Sequence, residues 1–135
     1  LKPGGWLVLE IPTPGWWARI FRGRWLFLQA PTHLFHLSPA SAVQLLEQTG
    51  FKACWSMRTW VPSEFAGSVL MSLGLNGFAN RILFKPKKLS DHLWRLLFMA
   101  LMPLDLLLTG VVALMGGAGV LRVVAQTSNR ESSDT

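Results

Sequence analysis

Leu1-Lys2-Pro3-Gly4-Gly5-Trp6-Leu7-Val8-Leu9-Glu10-Ile11-Pro12 is the stretch on which the fold turns. Pro3 presets its own φ, and Gly4 and Gly5 accept the positive φ of a tight turn. Six residues follow, nearly all large and apolar, and Pro12 and Pro14 close the run. A strand this short and this apolar is expected to be buried on both faces, as central strands of α/β sheets are. Such a strand needs a neighbour on each side. The reading is therefore that the chain is one part of a larger sheet, with strands missing before Leu1.

Further along, Val120-Leu121-Arg122-Val123-Val124-Ala125 is β-branched and follows the flexible Gly116-Gly117-Ala118-Gly119 turn, which marks a second strand. Phe51 to Val61 alternates Ala53, Trp55, Met57 and Thr59 with Lys52, Cys54, Ser56 and Arg58. That pattern predicts a strand near the sheet edge, with one face buried and one wetter. Between the first and third of these runs, Ser38-Pro39 has the chemistry of a helix start, Ser at the N-cap and Pro at the first helical position. Ala40, Val43, Leu45 and Leu46 supply an apolar stripe, and Gly50 fits the C-terminal end. Trp17, Ile20, Phe21 and Arg24 recur at helical spacing in residues 15–25. That segment is expected either to pack its Trp rings on the sheet as a crossover or to offer Arg19, Arg22 and Arg24 to an anionic ligand or lipid. A helix is expected to begin near Glu64.

Three of these pieces carry a resemblance. Leu1-Lys2-Pro3-Gly4-Gly5 with its strand, Pro31-Thr32-His33-Leu34-Phe35-His36-Leu37-Ser38, and Leu45-Leu46 through Thr49-Gly50-Phe51 resemble, in order and spacing, the carboxy-terminal half of class I S-adenosylmethionine-dependent methyltransferases. The resemblance covers roughly residues 1–60, with a looser match for residues 119–126 as the last strand. It implies an α/β fold with part of a Rossmann-like methyltransferase sheet: the last three strands, the final one antiparallel between the other two. It also implies S-adenosylmethionine as cofactor of the complete protein. The glycine-rich loop and the acidic residue that hold that cofactor are absent from this sequence, so the other half of the domain is expected as a partner and the chain alone is expected to be inactive.

Ligands in open α/β sheets bind outside the carboxyl ends of the strands. Glu10, Trp16 and Trp17 are accordingly the candidates for contact with substrate, although Glu10 has the alternative of a structural pairing with an Arg such as Arg19. His33 and His36 are the candidate catalytic residues. Methyl transfer from an activated sulfonium needs alignment and removal of a proton, and an imidazole titrating near neutrality suits the second task. The resemblance puts their loop over the mouth of the site. A hydrogen-bonded structural role is open to both. Metal binding is not expected, because no third ligand accompanies the pair.

Half of the 135 residues are hydrophobic, the net charge is +6, and there are seven Trp and no Tyr. Mean hydropathy is +0.34. Such a surface calls for an apolar partner or a bilayer, and the basic excess calls for an anionic one. Nucleic acid fits poorly, since no known binding module surrounds the Arg/Trp segment. The single Cys54 excludes an internal disulfide. From Leu96 to Leu121 only Asp105 is charged, a length sufficient to span a hydrocarbon core. One span would strand the last strand on the wrong side of its own sheet. The expectation is therefore an inserted apolar hairpin over residues 92–116, made of helices over 93–102 and 104–115 hinged at Pro103. It would either lie on the cytoplasmic face of a membrane or pack against protein. Lys85, Lys87, Lys88, Trp94, Leu97, Phe98, Leu101 and Leu107 are its expected membrane contacts. Residues 1–126 form the domain, and the polar residues 127–135 a disordered tail. The functional expectation is a methyltransferase half acting on a small or lipid-like acceptor near a membrane, and the alternative is a membrane-associated interaction module without catalysis.

Overall fold

The computed structural model describes residues 1–28, 33, 35–75, 77, 82 and 87–127. The order of elements is β1 (Trp6–Pro12), α1 (Trp16–Phe21), a 3-10 turn (Arg22–Arg24), α2 (Pro39–Gln48), β2 (Phe51–Thr59), α3 (Glu64–Ser72), α4 (Leu89–Leu114) and β3 (Val120–Thr127). The fold is mixed α/β. Its sheet has the order β1-β3-β2, and β3 runs antiparallel to both neighbours, so β1 and β2 are parallel to each other.

Central position makes β3 the best buried strand. Leu121, Val123 and Ala125 point to one face and meet Ala42 and Leu46 of α2. The Ser38 hydroxyl accepts from Ser41 N at 3.1 Å, and Pro39 opens α2 as the sequence predicts. The opposite face is bare. There Trp6, Val8, Trp55 and Met57 are exposed around the cross-strand pair Glu10 and Arg122. The expectation that β1 is buried on both faces does not hold: Leu7, Leu9 and Ile11 are half-buried, while Trp6, Val8 and Glu10 are exposed. Among the described residues one layer of helix covers this sheet. Among the described residues β1 pairs with β3 alone, which leaves its other edge open.

Two further departures have local causes. A bulge between Ala53 and Trp55 inserts Cys54 into β2, and a one-residue insertion exchanges the faces of everything after it. Ala53 pairs with Ala125 on the covered side, whereas Trp55 pairs with Val124 and Met57 with Arg122 on the bare side. β3 also runs one residue further than the sequence suggests. Thr127 donates its N–H to Gly5 O and its hydroxyl to Lys2 O, both at 2.9 Å, so it belongs to the sheet rather than to a tail. The rest of that tail lies outside the described residues.

The inserted pair of helices hinged at Pro103 is replaced by one helix. α4 runs unbroken through Pro103 for 26 residues, roughly 39 Å at 1.5 Å per residue. Pro103 deprives the Met99 carbonyl of its usual partner, a local loss that need not break a helix held by packing on both sides. Trp94, Phe98, Leu101 and Met102 of α4 pack on a core of Leu26, Ala66, Leu70, Leu75 and Ile82. Asp105, two residues beyond the proline, is tied to the start of α3. The two limbs that the topology requires are α3, which leaves the sheet after β2, and α4, which returns to it before β3.

Candidate functional site at the carboxyl end of the strands

The loop after β1 is stitched to the turn before β3. Thr13 N donates to Gly119 O and Trp16 N to Gly117 O, both at 2.9 Å. The Thr13 hydroxyl donates to Leu37 O at 2.8 Å, which brings residues 36–37 beside the end of β1. Arg58 of β2 clamps the same two loops, with its guanidinium donating to Ala118 O at 2.8 Å and to Pro14 O at 3.3 Å. Glycine is required here by contact. A Cβ on Gly15 would overlap Gly117 O, and one on Gly117 would lie 2.7 Å from the Trp16 ring.

Beneath these loops lies a buried acidic pair. Glu64, the first residue of α3, is fully buried. One oxygen, Oε1, accepts from Trp25 Nε1 at 2.8 Å, while Oε2 has no partner among the described residues. Burial drives its pKa from 4.5 up to about 7; the bonds from Trp25 and from the Gly119 backbone pull it down, the charge of Asp105 pushes it up, and Arg58 opposes that push. Asp105 is equally buried but well paired, accepting from Ser63 N at 2.7 Å and Ala66 N at 2.8 Å. It is the N-cap of α3, supplied by another helix. Ser63 itself sits at φ 90° and makes no side-chain cap of its own, so the strained residue is held in place by that bond. Trp17 Nε1 and Thr109 Oγ1 are two more buried polar atoms without a partner among the described residues.

A carboxyl titrating near neutrality falls in the range useful for general acid–base chemistry, yet Glu64 is sealed from solvent. Its geometry suits a proton-sensitive structural post between α3, Trp25 and Gly119. Sequence reasoning did not single it out, because a Glu opening a helix has the pattern of an ordinary exposed first-turn residue. Asp105 had a signal, as the lone charge in a long apolar run, but its partner lies forty residues away.

The residues expected to carry function are scattered. Glu10 does not pair with Arg19; it forms an exposed ion pair with Arg122, its directly opposite neighbour in the sheet register. Trp16 is partly exposed over Gly117, whereas Trp17 is buried against Phe21 and Phe65, with the Phe65 ring at 4.9 Å. His36 Nε2 bonds Phe27 O at 3.0 Å and its ring lies 5.3 Å from that of Trp25, so the side chain is engaged by the fold. His33 is half-buried. On α4, Leu97 and Leu107 are exposed and Trp94 and Leu101 half-buried; Phe98 points inward to the core instead of outward, because it lies on the face that α3 covers. Lys87 and Lys88 are exposed, and Lys85 lies outside the described residues.

Comparison with protein families, with curated proteins and with solved structures finds no match to this chain.

Proposed function

We propose that this chain is the carboxy-terminal part of a class I S-adenosylmethionine-dependent methyltransferase, acting on a small or lipid-like acceptor at the cytoplasmic face of a membrane. The observation that carries the reading is the strand arrangement: β3 lies antiparallel between the parallel β1 and β2, as the resemblance implies for the end of that sheet. Two features support it. The free edge of β1 is the place for a further parallel strand. The bare face bearing Trp6, Val8, Trp55 and Met57 needs covering helices, since exposed apolar patches on sheets mark interaction surfaces.

The residues present do not fit the cofactor by themselves. Gly15 comes after a strand and before a helix, but a Cβ there would already overlap the chain's own backbone at Gly117, so no cradle opens at that point. No step through the cofactor is therefore assigned to this chain. Its contribution under this reading is the Glu10–Arg122 rim, the loop carrying His33 and His36, and the apolar helix.

The test is methyl transfer from labelled S-adenosylmethionine into extracted lipids and small amphiphiles. It compares residues 1–135 with the protein translated from the same reading frame extended upstream. The expected result is transfer by the longer chain alone. An upstream frame lacking a strand followed by a glycine-rich loop would overturn the proposal. The second reading, a membrane-docking module without catalysis, is favoured by the long exposed apolar face of α4. It predicts lipid binding with no transfer by either chain.

A further inference from the structure

α4 has two unlike sides. Asp91, Phe98, Asp105, Thr109 and Val112 are buried; Phe98 packs on α3, Asp105 caps it, and Val112 packs with Trp17 and Trp25. At 100° per residue the opposite side carries Leu89, Leu93, Leu96, Leu107, Val111 and Leu114, and exposure reaches 77% at Leu89, 64% at Leu96 and Leu107, and 90% at Leu114. The flanks of that stripe are apolar as well, since Leu97, Met99, Leu104 and Leu106 are exposed. About half of the helix circumference is thus uncovered hydrocarbon. The polar exceptions among the described residues, Ser90, His92 and Arg95, fall at its edge and near its amino-terminal end.

We infer that α4 lies flat on an anionic bilayer, with this outward side sunk to the boundary between headgroups and acyl chains. A partner helix would use a narrow seam bordered by charged positions. A face half a cylinder wide with apolar borders suits a medium that wraps it. The stripe also continues to both ends of the helix, so lying flat covers all of it, whereas crossing the membrane would not. Crossing would draw α3 into the hydrocarbon as well, because Asp105 keeps the middle of α4 fastened to the start of α3, four residues after β2. Charge selects the lipid. Lys87 and Lys88 are exposed at the amino-terminal end of α4, where Asp91 accepts their backbone N–H groups at 3.1 and 3.2 Å. At the other end, Trp16 rests on Gly117 beside the exposed Met115, an amphipathic ring suited to the interface. That corner adjoins the end of β1 through the Thr13–Gly119 and Trp16–Gly117 bonds. If the methyltransferase reading holds, an amphiphilic acceptor reaches the site from there without leaving the bilayer; only this last step rests on that reading.

The test needs no cofactor, so its failure is separate from failure of the enzymatic reading. The purified chain is floated with vesicles of phosphatidylcholine alone or mixed with phosphatidylglycerol. Binding is expected with the mixed vesicles and is expected to weaken with salt. Replacing both Lys87 and Lys88 by Ala should weaken it by about thirtyfold, from roughly fivefold per lysine near a charged surface. Single cysteines at the exposed positions Leu89, Leu96, Leu107 and Leu114, in a Cys54→Ser background, are then spin-labelled and their depth read from collision with lipid- and water-soluble quenchers. Uniform shallow depth is the expected result. A depth maximum at the middle of the helix, indicating a span, would overturn the inference. So would an absence of flotation together with cross-linking of these cysteines between copies, which would give the face to a second copy of the chain.

Discussion

Replacing Glu64 by Gln tests the buried acidic pair directly. The change keeps the shape and retains an acceptor for Trp25 Nε1, but removes the titration. Glu64 titrates at about 7 in the fold, against an ordinary value of 4.5. The folded protein therefore binds a proton that the unfolded chain has released between those two values. Stability from this source is fully present below about pH 4.5 and is lost as pH rises toward 7. At 1.36 kcal/mol per pH unit the loss amounts to roughly 3 kcal/mol. Urea unfolding followed by circular dichroism, repeated across this window, should give a wild-type curve that falls relative to that of Glu64→Gln. The two proteins should be nearly equal at the acid end. The variant should be more stable by about 3 kcal/mol above neutrality. Other carboxylates are common to both and cancel in the difference. Parallel profiles, or a wild type that gains on the variant as pH rises, would refute the reasoning and mean that Glu64 finds a partner for its charged form.

Asp105→Ala removes the cap of α3 and orphans the Ser63 and Ala66 amides, so unfolding free energy should drop by about 2–4 kcal/mol; a change within error would show that α3 does not depend on it. Gly67→Ala places a Cβ 2.8 Å from both methyls of the buried Leu26 and should cost about 1–2 kcal/mol, despite the better helix propensity of Ala. Pro103→Ala restores an amide to an uninterrupted helix and should stabilise by roughly 1–3 kcal/mol in the same assay; destabilisation would speak for a hinge. Glu10→Gln breaks an exposed pair and should shift unfolding free energy by less than about 1 kcal/mol in the same assay; a larger loss would show that the pair holds β1 to β3.

Much of the sheet was legible. The Val-rich run around Val123 and Val124 reads as a strand because it is β-branched, its place between the other two is what the resemblance implies, and Ser38-Pro39 starts α2 because capping chemistry is local. Less of the candidate site was. Glu10 had several arginines to choose from, and only the register that sets Trp6 opposite Gln126 puts Arg122 across from it. The alternation Ala53, Trp55, Met57 looked continuous, yet the bulge at Cys54 moves the last two to the other face. Glu64 looked like a solvated helix start and is among the most buried residues of the chain.

Sequence alone determined where the three strands, α2 and the start of α3 lie, since turn glycines, capping residues and apolar periodicity act within a few residues of each other, but it divided the single helix Leu89–Leu114 in two. It also required that a limb leaving the sheet for the apolar segment be matched by one returning. Tertiary structure decided which limb that is, whether Pro103 bends the helix, and which face of α4 stays bare. Those outcomes depend on contacts such as Asp105 with Ser63 and Phe98 with the α3 core, between residues far apart in the chain. Periodicity identifies an apolar helix; only its neighbours determine which of its sides is left uncovered.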